Sequence, residues 1–288
     1  MIETGDLTGL MQGAEELTRV YSRHWDMGEI EILDHTFANC INLEYIDASL
    51  WNTEALYDMR GVFANCSSLT SINCKNWKTK TVVDFSQVFS GCKSLEIIDL
   101  SNWDFSNASD MEDMFRGCTN LKKVIIKNWN VKSGNAKGLF YNCPNLEELD
   151  LAGFDHFHLN SPYPNYEEVF HKCVSLKTLV GGRQSLSETI FKNAKSNICL
   201  GHSSLLDRYS IRAIFNGVPQ RRVPFYDNMY GRIGIYLHYE TRKQVSDEDI
   251  AIATEKGWDV NFVEPLGYEK KESYQGNIKK LDHERETD

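Results

Sequence analysis

Hydrophobic and polar positions recur along this chain in a fixed order every 26 residues. Tryptophan marks the step most sharply, at Trp25, Trp51, Trp77, Trp103 and Trp129. A second column reads Phe-x-x-Cys-x-x-Leu. Its copies are Phe37/Cys40/Leu43, Phe63/Cys66/Leu69, Phe89/Cys92/Leu95, Phe115/Cys118/Leu121, Phe140/Cys143/Leu146 and Phe170/Cys173/Leu176. The fifth copy arrives after 25 residues and the sixth after 30. One step before Phe37 stand Met11, Ala14 and Leu17, a degenerate first copy; Phe154 continues the tryptophan column, and Phe191-x-x-Ala194 is a shortened echo. A constant period of this size means stacked copies of one unit.

Each leucine opens a short alternating stretch: Leu95-x-x-Ile98-x-Leu100, Leu121-x-x-Val124-x-Ile126, Leu146-x-x-Leu149-x-Leu151. Alternation at period two predicts a strand with one buried face. One strand per coil gives a parallel ladder, and seven coils at ~4.8 Å would stack to ~35 Å. The return segment carries Ser, Asn and Asp, which favour turns. Met111, Met114 and Phe115 then fall at helical spacing and predict one short helical turn. A lone coil buries too few apolar side chains to offset the entropy of ordering it, so neighbours must share a core. The aromatic column is that core; an exposed aromatic strip for stacking sugars or bases is the alternative.

The fold class expected is an α/β repeat solenoid, a leucine-rich repeat with one parallel strand per coil, plus a small α+β C-terminal module. The organisation expected is a solenoid of about seven coils over residues 1–200, a capping module over 201–263 and a charged tail over 264–288. In the module, Asp207 caps a helix with Ile211, Ile214 and Phe215 on one face, ended by Gly217. An extended pair is predicted around Arg232–Tyr239, where Ile233, Ile235 and Leu237 alternate. Ser246-Asp247-Glu248-Asp249 opens a second helix, Gly257 stops it, and Trp258-Asp259-Val260 returns as a strand.

Charge and cysteine chemistry narrow the function. Net charge is −10; residues 201–263 hold eight acids and eight bases and the tail seven and five, so the solenoid carries about −8 (−10 + 2 + 0). Such a surface argues against gripping nucleic acid by its phosphates and for a cationic or neutral partner. No run of about 20 apolar residues is present, so no membrane insertion is expected. Residues 1–6 show neither the basic start nor the apolar core of a signal peptide, so synthesis in the cytosol without export by that route is expected. Six of the eight cysteines share one column facing inward, which predicts reduced, buried thiols; Cys74 and Cys199 stand apart.

The run Met114-Phe115-Arg116-Gly117-Cys118-Thr119-Asn120-Leu121, preceded by Asp99-Leu100-Ser101-Asn102-Trp103-Asp104, resembles the BspA-like, or treponemal-type, leucine-rich repeats. The resemblance covers about residues 7–180. It implies an interaction or adhesion protein, of the kind displayed or secreted by anaerobic bacteria and some protists, and not an enzyme. Residues 249–258 resemble a C-terminal cap of related proteins from Bacteroidales and their phages, including crAss-like phages. A cap would hide the last open rung.

No nucleophile elbow, phosphate-binding glycine loop or dinucleotide fingerprint occurs, so neither catalysis nor a cofactor is expected. Asp155, His156 and His158 could share a metal if extended, but the 30-residue copy makes a polar insertion loop the alternative, and no metal site is expected. The outward strand positions are Tyr21, Asp47, Asn73, Asp99, Ile125 and Asp150, continued by Val180; beside them run Glu44, Thr70, Glu96, Lys122, Glu147 and Lys177. The first column is the expected binding face for a protein partner or a surface glycan. The rival reading is a structural component of a larger assembly, a virion or tail protein of a Bacteroidales phage.

Overall fold

The computed structural model describes residues 5–127, 129, 131, 135–151, 169–180, 198–200, 203–218, 220 and 234–263. Phe154, the pair His156 and His158, Phe191-x-x-Ala194, Ile233 and the tail from 264 to 288 lie outside the described residues.

Each copy of the alternating stretch forms a two- or three-residue strand: β1 Arg19–Val20, β2 Tyr45–Ile46, β3 Ser71–Ile72, β4 Ile97–Asp99, β5 Lys123–Ile125, β6 Glu148–Asp150 and β7 Thr178–Val180. They pair in parallel as β1-β2-β3 and β4-β5-β6-β7. The register repeats the spacing of the sequence: Arg19 faces Tyr45 and Tyr45 faces Ser71; Ile97, Lys123, Glu148 and Thr178 follow one another. One strand per coil, stacked in parallel and in register, is the leucine-rich-repeat solenoid of the α/β class. The triplets Leu95/Ile98/Leu100, Leu121/Val124/Ile126 and Leu146/Leu149/Leu151 are all buried. Cys74 takes the place held by Ala48 and Leu100 in adjacent coils, which explains a cysteine outside the main column.

Two aromatic columns fill the interior. Trp25, Trp51, Trp77 and Trp103 stack at 6.0, 5.3 and 5.9 Å with ring planes within 12°. Phe37, Phe63, Phe89, Phe115, Phe140 and Phe170 stack at 5.3–6.0 Å. Trp51, Trp77, Trp103 and Trp129 are buried, whereas Trp25 at the end of its column is 37% exposed. The seven cysteines whose side chains are described are free, buried thiols. Burial pushes the thiols of Cys118 and Cys173 up to about 12, so they stay protonated and available as donors.

The return arm corrects one expectation. No helical turn forms at Met111-x-x-Met114-Phe115 or its equivalents among the described residues. The arm is a chain of tight turns, with Thr36 N–H donating to Leu33 O and Cys40 N–H to Phe37 O. His35 and Asn39 have φ of 51° and 61°, as the third residue of a type II turn requires. Alternate N–H groups then point along the stack: those of Leu33, His35, Phe37 and Asn39 donate to Asp58, Arg60, Val62 and Ala64 carbonyls at 2.7–2.9 Å. An α-helix would have consumed these donors inside the coil.

The Phe-x-x-Cys-x-x-Leu column has an eighth, degenerate copy, Leu200-x-x-Ser203-x-x-Leu206. Ser203 N–H donates to Leu200 O and Leu206 N–H to Ser203 O, as Cys40 and Leu43 do in the second coil. Where the next strand would begin, Asp207 instead caps helix α1, Arg208–Gly217, by accepting from Ser210 N–H. Ser210 in turn accepts the Leu179 N–H of β7 at 2.9 Å, so the helix satisfies the exposed edge of the ladder.

Strands β8 (Ile198–Leu200), β9 (Gly234–His238) and β10 (Asp259–Val263) form a separate parallel sheet in the order β10-β9-β8. The expected extended pair near Arg232–Tyr239 is thus one strand, whose partners come from elsewhere in the chain. A 3-10 turn, Tyr239–Gln244, leads to α2, Asp247–Thr254, which carries the expected capping box between Ser246 and Asp249. The buried Asp249 carboxylate takes Arg208 at 2.9 Å and Arg212 at 3.1 Å, joining the two helices.

Close stacking of the turn arms restricts residues with positive φ. Gly91 and Gly13 both have φ of +71°, but a Cβ on Gly91 would land on Asn65 Oδ1, while one on Gly13 would meet nothing within 4 Å. Gly13→Ala should therefore cost only the left-handed strain of ~1–2 kcal/mol, and Gly91→Ala at least ~1 kcal/mol more, because Asn65 must leave its bond to Asn39. Urea denaturation of the two variants checks this; equal losses would show that the arms have slack.

Candidate functional site

The outward strand positions fall along two ladders, β1-β2-β3 and β4-β5-β6-β7. Asp99 lies opposite Ile125 and Asp150 opposite Val180, and Tyr21, Asp47 and Asn73 follow at the same step beside β1, β2 and β3. Tyr21 and Asn73 are exposed; Asp47, Asp99, Ile125 and Asp150 are half-buried.

The two aspartates Asp47 and Asp99 are held locally. Asp47 Oδ1 accepts from Ser49 N–H at 3.3 Å and Ser49 Oγ at 2.7 Å, and Asp99 Oδ1 accepts from Ser101 N–H at 2.9 Å. These bonds close the turn that leaves each strand. The second oxygen of each faces a base one coil earlier: Arg23 for Asp47 at 3.9 Å and Lys75 for Asp99 at 2.8 Å. The Ser49 hydroxyl, with weaker help from Arg23, holds the Asp47 carboxyl below the usual range. For Asp99, burial works against the charge but is outweighed by Lys75 and Ser101.

The adjoining columns follow the same rule. Arg19 pairs with Glu44, Lys122 with Glu96, Lys123 with Glu148 and Lys177 with Glu147, at 2.8–3.6 Å. All six of these bases are thus matched to an acid on a neighbouring rung. Exposed pairs of this kind contribute little each, but they leave the face close to charge balance. The step from β2 to β3 lacks such a pair among the described residues, since the β3 rung offers Thr70, Ser71 and Asn73. Around that neutral rung stand Tyr21, 72% exposed, Tyr45, whose ring lies 6.3 Å from Tyr21, and Ile97, 54% exposed. Tyr45, Ser71 and Ile97 were not among the expected site residues, although their place in the 26-residue step marks them.

A second acidic column runs along the turn arm. Asp6, Ile32, Asp58, Asp84, Asp110 and Asn135 form a column of parallel bridges, and its polar members accept the N–H two residues on. Burial, and the charge of Asp84 between them, push the Asp58 and Asp110 carboxyls up. Asp84 itself is lowered: burial opposes its charge, and the bonds from Ser86 and Arg60 win. Among the described residues no group of three or more His, Cys, Asp or Glu is placed to hold a metal ion. Among them, too, no helix is long and apolar enough to cross a membrane.

A family model described as Mycoplasma protein of unknown function, DUF285, matches residues 5–129, 31–154 and 85–181. The chain belongs to this family. The matches run from the first coil to the end of β7 and do not reach the eighth copy. No curated protein matches the sequence. Among solved structures, this family member is similar to a leucine-rich repeat protein from Bacteroides ovatus, 14% identical over 88% of this chain and 75% of that one, with a TM-score of 0.32. It is also similar to TLR13 in its complex with ssRNA13, 14% identical over 78% of this chain and 37% of that one, with a TM-score of 0.31. An internalin from Listeria monocytogenes is 11% identical over 88% of each chain, with a TM-score of 0.18. The fold assignment rests on the ladder geometry rather than on these likenesses.

The local bonds of Asp99 give a test of its role. Asp99→Lys, which breaks the turn closure and places a cation beside Lys75, should lower stability by ~1 kcal/mol. Asp99→Asn, which keeps the acceptor for Ser101, should lose less than half of that. Denaturant midpoints decide it: an unperturbed Asp99→Lys would return this residue to a purely exterior role.

Proposed function

We propose that this protein is a non-enzymatic interaction module that recognises a protein partner through its strand face. The observation that carries the reading is the face itself: rungs held in register as β1-β2-β3 and β4-β5-β6-β7, with outward side chains on a regular spacing and most of the charges paired across rungs. Such a surface is rigid before binding, so little ordering entropy opposes association. Contact then falls to the uncharged positions Tyr21, Tyr45, Asn73 and Ile97 with Ile125, while Asp47, Asp99 and Asp150 frame them. Tyrosines held on a rigid frame are suited to be anchors.

The resemblance to BspA-like repeats supports an adhesion type of role within this reading. Residues 201–263 act as the cap of the stack, which the Ser210 bond to β7 supports. A surface glycan as ligand, and incorporation into a phage particle, are kept as alternative outcomes of the same experiment.

That experiment is quantitative affinity capture from cells that make the protein, with wild type, Tyr45→Ala/Ile97→Ser and the arm-face variant Asp110→Asn as baits. The strand-face double variant should lose its protein partner on the order of tenfold or more, and the arm variant should retain it. Equal retention by all three baits removes the strand face from consideration. Capture of a polysaccharide, or of capsid and tail proteins, in place of a single protein partner would replace this reading by one of the alternatives.

A further inference from the structure

We propose that the uncharged strip of the strand face between Tyr21 and Ile125 receives a proline-rich segment of the partner, lying along the stack in the polyproline II conformation. This rests on the strand face being the binding surface and names the chemistry of what binds it. Outward positions on this face repeat at twice the step of the core. Tyr21, Asn73 and Ile125 alternate with Asp47, Asp99 and Asp150 in one column. In the column beside it, Tyr45 and Ile97 stand two rungs apart with Ser71 between them. Tyr21, Ser71, Asn73 and Ile97 are exposed.

The step of that pattern selects the conformation. Two rungs span ~9.6 Å at the usual spacing of paired strands. Strands β3 and β4 are not bonded to each other, but the arms of the same two coils are, at 2.6–3.1 Å, so the step holds across the strip. Along a partner chain, a strand brings same-face side chains round every ~6.8 Å, and an α-helix completes a turn every ~5.4 Å. A polyproline II helix, at ~3.1 Å per residue, repeats every third residue, or ~9.3 Å. Residue i of such a segment then lies against Tyr45 and residue i+3 against Ile97.

Hydrogen bonding and charge select proline within that conformation. A proline-rich segment brings apolar rings and bare carbonyl acceptors, and its prolines carry no N–H that needs a partner. The strip answers with apolar surface at Tyr21, Tyr45 and Ile97 and with donors between them. The Tyr45 and Ser71 hydroxyls and the Asn73 amide make no hydrogen bond to another described residue. The acids and bases bordering the strip are matched to one another: Arg19 to Glu44, Arg23 to Asp47, Lys75 to Asp99 and Lys122 to Glu96. The complement of a surface neutralised in this way is an uncharged segment, since a charged one must break a pair to find its counterpart. Aromatic side chains spaced along a shallow face are a recurrent means of holding polyproline II segments.

The test is isothermal titration calorimetry of the full chain with acetylated decaproline, ~31 Å long, against a glycine–serine peptide of equal length. Decaproline should bind wild type at least ~tenfold more tightly than the flexible peptide, because it is already ordered. Its affinity should change less than ~twofold between low and high salt, because no charge is used. Tyr45→Ala/Ile97→Ser should weaken it on the order of tenfold. Asn73→Asp, at an exposed position, should also weaken it on the order of tenfold, by setting an unmatched charge in the strip. Asp110→Asn on the turn arm should leave it unchanged. Failure of decaproline to bind at millimolar concentration overturns the proposal, and so does equal affinity for wild type, the double variant and Asn73→Asp. If the double variant loses the partner captured from cells while decaproline does not bind, the strand face stands and its proline-rich ligand falls. If decaproline binds as expected and the captured partner is indifferent to the double variant, the proline-binding strip stands and the partner's use of the strand face falls.

Discussion

A buried side-chain donor that reaches a main-chain carbonyl in the preceding coil ties each coil of this solenoid to the last. From one column the indoles of Trp51, Trp77 and Trp103 donate to Ser22, Ala48 and Cys74 carbonyls at 2.8–3.0 Å. From the other, the thiols of Cys40, Cys66, Cys92, Cys118, Cys143 and Cys173 donate to the carbonyls of Met11, Phe37, Phe63, Phe89, Phe115 and Phe140. Most of these carbonyls already receive an N–H from a turn of their own coil, so the incoming donor fills the second lone pair. The position calls for a side chain that packs as a hydrophobe and still carries one donor. Tryptophan and cysteine meet that demand, and this is the physical content of the repeated motif.

The same constraint explains how the stack absorbs its irregular copies. Where the step shortens to 25, Trp129 turns its indole forward to Asp150 O and packs edge-on against Phe140, so its donor is still satisfied. The thiol column passes through the same point without a break, from Cys118 to Cys143, and crosses the 30-residue copy to Cys173. The narrower column of small side chains thus keeps register where the wide aromatic one cannot. In the eighth copy serine replaces cysteine, and Ser203 Oγ still donates to a carbonyl of the coil before, that of Cys173, at 3.3 Å.

Much of this was legible in the sequence, for a definite reason: inward positions repeat because each must fit the copy of itself above and below. The buried triplets, the aromatic columns and the caps at Asp207 and Ser246 all follow from patterns confined to a few residues. The turn arm was not legible, since Met111, Met114 and Phe115 satisfy helical spacing equally well. The signal against a helix was the column of residues with positive φ, which alternates between glycine and His35, Asn39, Asn65 or Gln87. The ion pairs of the strand face join residues about one period apart and become visible only once coil register is known. The local duty of Asp47 and Asp99 could have been found in Asp47-x-Ser49 and Asp99-x-Ser101. The eighth copy was hidden because leucine and serine stand where phenylalanine and cysteine do elsewhere.

For function, the pairing of charges across rungs shifts attention from the aspartates to the neutral, tyrosine-bearing part of the strand face. That face depends on register being fixed from within. The most direct measurement is therefore the stability of Cys92→Ser against Cys92→Ala by chemical denaturation. The two differ by one hydroxyl that can donate to Phe63 O. If buried donors hold the coils together, Cys92→Ser will be the more stable by ~1 kcal/mol. If packing alone holds them, the buried hydroxyl is a burden, and Cys92→Ala will be as stable as Cys92→Ser or more so, which would contradict the account.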